Sequence, residues 1–297
     1  MERFMKHAVV VMALLMAAGG GWASQQVSET YPVAANGEVQ IEVLSGAVSV
    51  EVWAQNLVEV TGTLGDGVES LDIDGDEDGV YIEVEYDEDY HGKQTVETNL
   101  TIRVPAGVEL SVETVSASIT VAGVKGGVDL ESVSGRIQVT GMPAILDVEN
   151  VSGNISVESA PPESDISSVS GLIEIGAAGG AIDLENVSGK VLIKGGFLDD
   201  ADIETVSGDI TCSAMPRPGG DVDISTTSGT ITLTVDAGLV ASYEFTTFSG
   251  TISNSFGPEP RRTSNYTPGT ELHFNTGTGG PHISLESFSG GIKLVSQ

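Results

Sequence analysis

The chain is written around one phrase, Val133-Ser134-Gly135-Arg136-Ile137-Gln138-Val139. The pattern Val-Ser-Gly-x-Ile-x-Val starts again at Val115 (with Ala117 for the glycine), Val151, Val169, Val187, Val206, Thr227, Phe248 and Phe288. An earlier copy runs Leu44-Ser45-Gly46-Ala47-Val48-Ser49-Val50. From Val115 to Val187 each step is 18 residues; the later steps are 19, 21, 21 and 40, the last about two ordinary steps. A fixed period of this kind marks one supersecondary unit stacked on itself.

One repeat shows what that unit is. Val128 and Leu130 alternate with Asp129 and Glu131, the period-two signature of a half-buried strand. Ser132-Val133-Ser134-Gly135 interrupts it, and a glycine there permits a sharp corner. Ile137 and Val139 then alternate with Arg136 and Gln138 as a second strand, and Gly141-Met142-Pro143-Ala144 closes the rung. The other copies obey this template, as in Leu146/Val148 before the corner and Ile155/Val157 after it. A single rung has two short apolar edges and nothing to pack them on, whereas stacked rungs supply a core to one another. The extra residues of the longer steps fall mostly in the looser corner, as in Met215-Pro216-Arg217-Pro218-Gly219-Gly220.

The sequence therefore predicts an all-β chain: one elongated parallel β-solenoid of about 18–21 residues per rung with an N-terminal β meander or cap. The alternative is an antiparallel β-sandwich, since short strands at 8–12-residue spacing also mark sandwiches. The recurring Ser-Gly corner favours the coil. Val39 to Val52 reads as a first rung. Val58–Thr61, Leu71–Asp74, Val80–Val84 and Leu100–Val104 leave the period and read as meandering strands that cap the stack or form a small sheet. The expected organisation is a signal peptide over 1–23, a first rung with meander over 24–107, and repetitive solenoid over 108–297 with a polar loop insertion at 254–269.

The signal rests on Arg3 and Lys6, the apolar run Ala8–Ala18, and Gly21-Trp22-Ala23 before a cut after Ala23. The apolar run has 11 residues, too short to span a bilayer, and no second one follows, so no transmembrane segment is expected once the signal is removed. The expected location is secreted, periplasmic or cell envelope. The formal net charge is −31; removing Glu2, Arg3 and Lys6 takes away a net +1 and leaves −32. Such acidity argues against nucleic acid and anionic membrane as partners and favours cations or basic surfaces. Cys212 is the only cysteine, so the chain makes no internal disulfide. It falls on an interior column and reads as a small buried hydrophobe. His91, His273 and His282 show no metal-ligand spacing.

The Ser-Gly-x-Ile-x-Val ladder, the early Gly46-Ala47-Val48 segment and the late run Gly279 to Gly290 resemble a bacterial family. It is the adhesin-like β-strand-repeat envelope family of unknown function, of the auto-transporter adhesin type, and the resemblance covers nearly all of the mature chain. It implies a secreted β-solenoid-like fold and an adhesive or envelope-stress role, and it supplies no catalytic residues to carry over.

Candidate chemistry lies in the outward positions. Matched positions in stacked coils sit ~4.8 Å apart. One outward column contains Asp129, Asp147, Asp165, Asp183, Asp202, Asp223 and Glu244; its neighbour contains Glu113, Glu131, Glu149, Glu185 and Glu204, with Ser167 and Ser225 interrupting. Like charges at that spacing repel by about 1 kcal/mol in water. The face is then either a solvated acidic surface or one bridged by a divalent cation, and Ca2+ suits hard oxygen ligands in flexible geometry. Asp74-Gly75-Asp76-Glu77-Asp78-Gly79 with Glu85 matches the spacing of a calcium loop. Strands flank it where an EF-hand needs helices, so a polar hairpin turn is the other reading.

A second small-polar column, including Thr114, Ser132, Asn150, Ser168, Asn186 and Thr205, precedes each corner and reads as structural. The leading functional expectation is a non-catalytic envelope protein that binds a partner protein, glycan or surface, with its oligomeric state left open. The rivals are a polysaccharide-acting enzyme, since carboxyl pairs ~5–10 Å apart serve glycoside hydrolysis, and an envelope-stress sensor or regulator.

Overall fold

The computed structural model describes residues 25–87, 96–264 and 268–297. The expected signal peptide over 1–23 and His91 lie outside them. The described residues form strands and turns and no helix, so among them no helix is long and apolar enough to cross a membrane. They fall into two compact units, Met1–Pro143 and Ala144–Gln297. The boundary expected at 107 lies inside the first.

In the first unit the strands are β1 (Gln25–Pro32), β2 (Glu38–Val43), β3 (Ala47–Trp53), β4 (Leu57–Leu64), β5 (Val68–Gly75) and β6 (Gly79–Tyr86). They continue with β7 (Asn99–Pro105), β8 (Glu109–Thr114), β9 (Ser118–Ala122), β10 (Gly127–Ser132) and β11 (Ile137–Thr140). Copies of the phrase stack in parallel and in register. Ile41 lies opposite Val112 and Val112 opposite Leu130 on one side of the corner. Val48, Ile119 and Ile137 follow one another on the other side. All six are buried, so each column is a strip of core.

The order in space departs from the order in sequence. β6 and β7 lie parallel on the outer edges of β2 and β3, with Ile82 against Ile41 and Ile102 against Val50. The first coil of the chain is therefore an inner one. Val80–Val84 and Leu100–Val104, which leave the sequence period, form the outer coil. β5 runs antiparallel to β6, β4 antiparallel to β7, and β1 antiparallel to β4. These strands cover edges that would otherwise offer unpaired backbone groups to another chain.

The second unit opens with β12 (Ile145–Ser152), β13 (Ile155–Ser159), β14 (Glu163–Ala177), β15 (Ala181–Ile193), β16 (Phe197–Ser207), β17 (Ile210–Cys212) and β18 (Met215–Ser228). It continues with β19 (Ile231–Val235), β20 (Ser242–Thr247), β21 (Ile252–Asn254), β22 (Arg261–Arg262), β23 (Thr270–Asn275), β24 (His282–Ser287) and β25 (Ile292–Ser296). Ile155, Ile173, Val191, Ile210 and Ile231 stack coil upon coil. Ile292 comes next and Ile252 last. The final coil of the chain, β24 and β25, thus lies between β18/β19 and β20/β21. β23 runs antiparallel on β20, and β22 on β23. Among the described residues, antiparallel pairing is confined to these capping strands of the two units. A sandwich would need it throughout, so each unit is a β-solenoid-like coil.

The corner glycines have a cause beyond backbone freedom. At Gly189, φ is +141°, and an added Cβ would strike the carbonyl oxygen of Gly171 in the neighbouring coil. Gly135 lies outside the left-handed region, yet a Cβ there would strike the carbonyl oxygen of Ala117. Close stacking at the corner, more than turn geometry alone, selects glycine.

Candidate functional site

The outward face of the second unit is built by strict alternation. Along β12, Leu146, Val148 and Asn150 point inward, while Asp147, Glu149 and Val151 point outward. The parallel register repeats this arrangement in every later coil. Asp147, Asp165, Asp183, Asp202 and Asp223 form one column, as predicted. Ser284 and then Glu244 extend it. Glu149, Ser167, Glu185, Glu204, Ser225 and Glu286 form the next. In the first unit, Asp129 follows Ser111 and Gln40, while Glu131 follows Glu113 and Glu42.

Stacking perturbs these carboxyls. Asp165 is raised above the ordinary carboxylate range, first by loss of solvent and then by the charges of Asp147 and Asp183. Asp202 is raised by loss of solvent and by Asp183 and Asp223. Glu204 is raised by loss of solvent, Asp202 and Glu185. All three residues are exposed.

A third outward column stands beside the carboxylates, at the first residue of each phrase. It runs Val151, Val169, Val187, Val206, Thr227, Phe288 and Phe248. The order follows from the paired serines next to them and from the bonds Ser289 N to Thr227 O and Ser249 N to Phe288 O. The apolar members are about half exposed, from 48% at Val151 to 56% at Phe288. Sequence reasoning treated this residue only as the head of the motif. Its parity with Asp147 and Glu149 was the available signal that it faces solvent.

The small-polar column lies beneath the corner and is buried. Thr114 Oγ1 donates to Ser132 Oγ (3.0 Å), and Ser132 Oγ accepts from Gly135 N (2.9 Å). Asn150 Oδ1 accepts from Ser152 N, and Asn186 Oδ1 from Ser188 N. These bonds pin the corner backbone.

The structure does not gather the weaker calcium candidate. Asp74, Asp76 and Asp78 sit at the tip of the β5–β6 hairpin, where Asp76 N donates to Gly79 O and Asp78 N to Asp76 Oδ1. Asp74 lies opposite Tyr81, but Glu85 lies opposite Ser70 and accepts its hydroxyl at 2.8 Å. Four residues of strand, ~13 Å, separate Glu85 from the level of Asp74. Among the described residues, no three His, Cys, Asp or Glu side chains group closely enough to hold a metal ion. Cys212 is fully buried between Ile193 and Leu233, and burial pushes its thiol up to about 11. His273 lies on the capping strand β23, 3.8 Å from Glu244 and 3.9 Å from Glu271.

Fold and face together define a class: an all-β protein of stacked coils with two acidic outward columns beside an apolar one. Residues 163–295, within the second unit, match the family model described as Toastrack DUF4097. No curated protein matches the chain. Among solved structures it is similar to a "putative lipid binding protein" from Parabacteroides distasonis, with TM-score 0.55 and 14% identity over 91% of this chain and 96% of the other. It is also similar to a "putative adhesin" from the same organism, with TM-score 0.49 and 10% identity over 92% and 98%. At such identities the first likeness speaks for the fold alone.

Proposed function

We propose that the protein is a non-catalytic component of the cell envelope that binds a partner or surface through the outward columns of its coils. The observation that carries this reading is the repeating outward face of the second unit over seven stacked coils: each presents at least one carboxylate, six add an apolar side chain, and the full set of acid beside acid beside apolar stands at 147/149/151, 183/185/187 and 202/204/206. A face of this kind repeats similar groups from coil to coil, which suits contact along a line. Carboxyl pairs likewise recur at several coils, as at Asp147/Glu149, Asp183/Glu185 and Asp202/Glu204, and single out no one centre. Export through the signal over 1–23 belongs to the same proposal.

The test is saturable binding of the purified full chain to isolated bacterial envelope fragments, run beside a cleavage screen on acidic polysaccharides. Binding without turnover supports the reading, and robust turnover would replace it with the polysaccharide-acting enzyme. Divalent cations enter as counter-ions of the acidic columns. A melting temperature higher in Ca2+ than in EDTA at fixed ionic strength would mark site binding; equal values would mark diffuse screening.

A further inference from the structure

The apolar column of the second unit is the surface feature least explained by folding. Val169, Val187 and Val206 are 49%, 48% and 53% exposed, and Phe248 and Phe288 are 51% and 56% exposed. Core packing does not require them there, because Thr227 occupies the same column. Apolar side chains aligned without a break from Val151 to Val206 form a contiguous patch, and such patches mark contact sites.

The flank of the column identifies the occupant. Two residues back along the strand, ~6.8 Å away, stand Glu149, Glu185, Glu204 and Glu286, with Ser167, Ser225 and Thr246 interrupting, and two residues further back from the first three stand Asp147, Asp183 and Asp202. A second copy of this chain would set the same carboxylates against one another. Anionic headgroups would meet the same repulsion. A partner with one apolar stripe and one cationic stripe satisfies both columns.

Spacing narrows the choice. Coils repeat every ~4.8 Å, and an α-helix presents side chains to one face every ~5.4 Å. The column from Val151 to Phe248 spans six coil steps, ~29 Å; an 18-residue helix is ~27 Å long. We infer that the outward face of Ala144–Gln297 docks a cationic amphipathic helix along the stack, with its apolar stripe on the Val/Phe column and its Lys or Arg stripe over the Glu column. This rests on the partner-binding reading above and names the partner's chemistry.

The probe is a labelled 18-residue Leu/Lys amphipathic peptide, titrated with the full chain at about 0.1 M salt, where exposed charges farther apart than ~10 Å are screened. Fluorescence anisotropy reads affinity and circular dichroism reads peptide helicity. The expected result is saturable binding with a gain in helicity. Val169→Thr/Val187→Thr/Val206→Thr should weaken it at least tenfold; Thr227 shows that the corner accepts threonine. Glu185→Gln/Glu204→Gln should also weaken it at least tenfold and flatten its salt dependence. A Gly/Lys peptide of equal charge should bind at least tenfold more weakly.

The inference is overturned if the peptide does not bind, or if the valine variant binds it unchanged, which would mean simple polyanion attraction. It is equally overturned if the valine variant instead abolishes self-association or binding to neutral phosphatidylcholine vesicles while peptide affinity stays the same. None of these outcomes touches the broader reading, which falls to turnover in the polysaccharide screen or to a lack of saturable binding to envelope fragments.

Discussion

Phe288 lies face to face with Phe248, ring centroids 4.9 Å apart and planes 7° from parallel, although 40 residues separate them in the chain. The contact marks where the last coil slides beneath an earlier one. β20 and β21 have β24 and β25 as their parallel neighbours, so the outer coil rests on the C-terminal residues. A chain ending at Gly280 should expose the 236–280 segment to protease while the coils from β12 to β17 stay protected. Limited proteolysis with mass mapping checks this; equal protection of 236–280 would refute it. Phe288→Ala alone should cost about 1 kcal/mol, because it removes one half-exposed aromatic pair.

Corner glycines should divide by what lies beneath them. Gly189→Ala forces a Cβ into the Gly171 carbonyl and should cost ~2–4 kcal/mol in urea unfolding, or prevent folding. Gly238 has nothing within 4 Å of an added Cβ, so Gly238→Ala should stay within ~0.5 kcal/mol of the parent.

The acidic columns set the pH dependence. Asp165, Asp202 and Glu204 have folded-state pKa values raised above their unfolded values. Their protonated forms are therefore favoured by folding. Their stabilising contribution is complete below the unfolded pKa, about 4, and is lost as pH rises through the raised folded values. The melting temperature should rise as pH falls from neutral through the raised folded values toward about 4. Asp202→Asn should raise it at pH 7.5, and the gain should shrink in high salt. A melting temperature that falls steadily over the same range would contradict the electrostatic account.

Cys212 should be silent to thiol reagents in the native state. Its sulfur is buried and its pKa is pushed up to about 11, so little thiolate forms at pH 8. Ellman's reagent should find one thiol per chain in urea and none in native buffer. Cys212→Val should be tolerated within ~1.5 kcal/mol. Cys212→Asp, a buried charge between Ile193 and Leu233, should unfold the unit.

Much of this architecture was legible in the residues. Alternation at Val128-Asp129-Leu130-Glu131 and its copies gave the strands, and the constant phrase gave the register. Asp183 does lie over Asp165, and Ile173 over Ile155. Two features are less legible there. The order of the coils is set by which edges pair, and nothing local to Ile41 or Ile82 says that they face each other; the 40-residue step before Phe288 was the one trace of a displaced coil. The outward apolar column was readable from parity, but a hydrophobic residue at the head of a motif invites a core assignment.

The displaced final coil also orders events in time. A chain made N-terminus first delivers Tyr243 and Phe245 well before Ile283 and Leu285, on which their strand is laid. The outer layer must wait, unsupported, until the tail arrives and wedges in below it. Until β24 and β25 are in place, β20 and β21 lack the parallel neighbours on which they rest and keep an open, sticky edge.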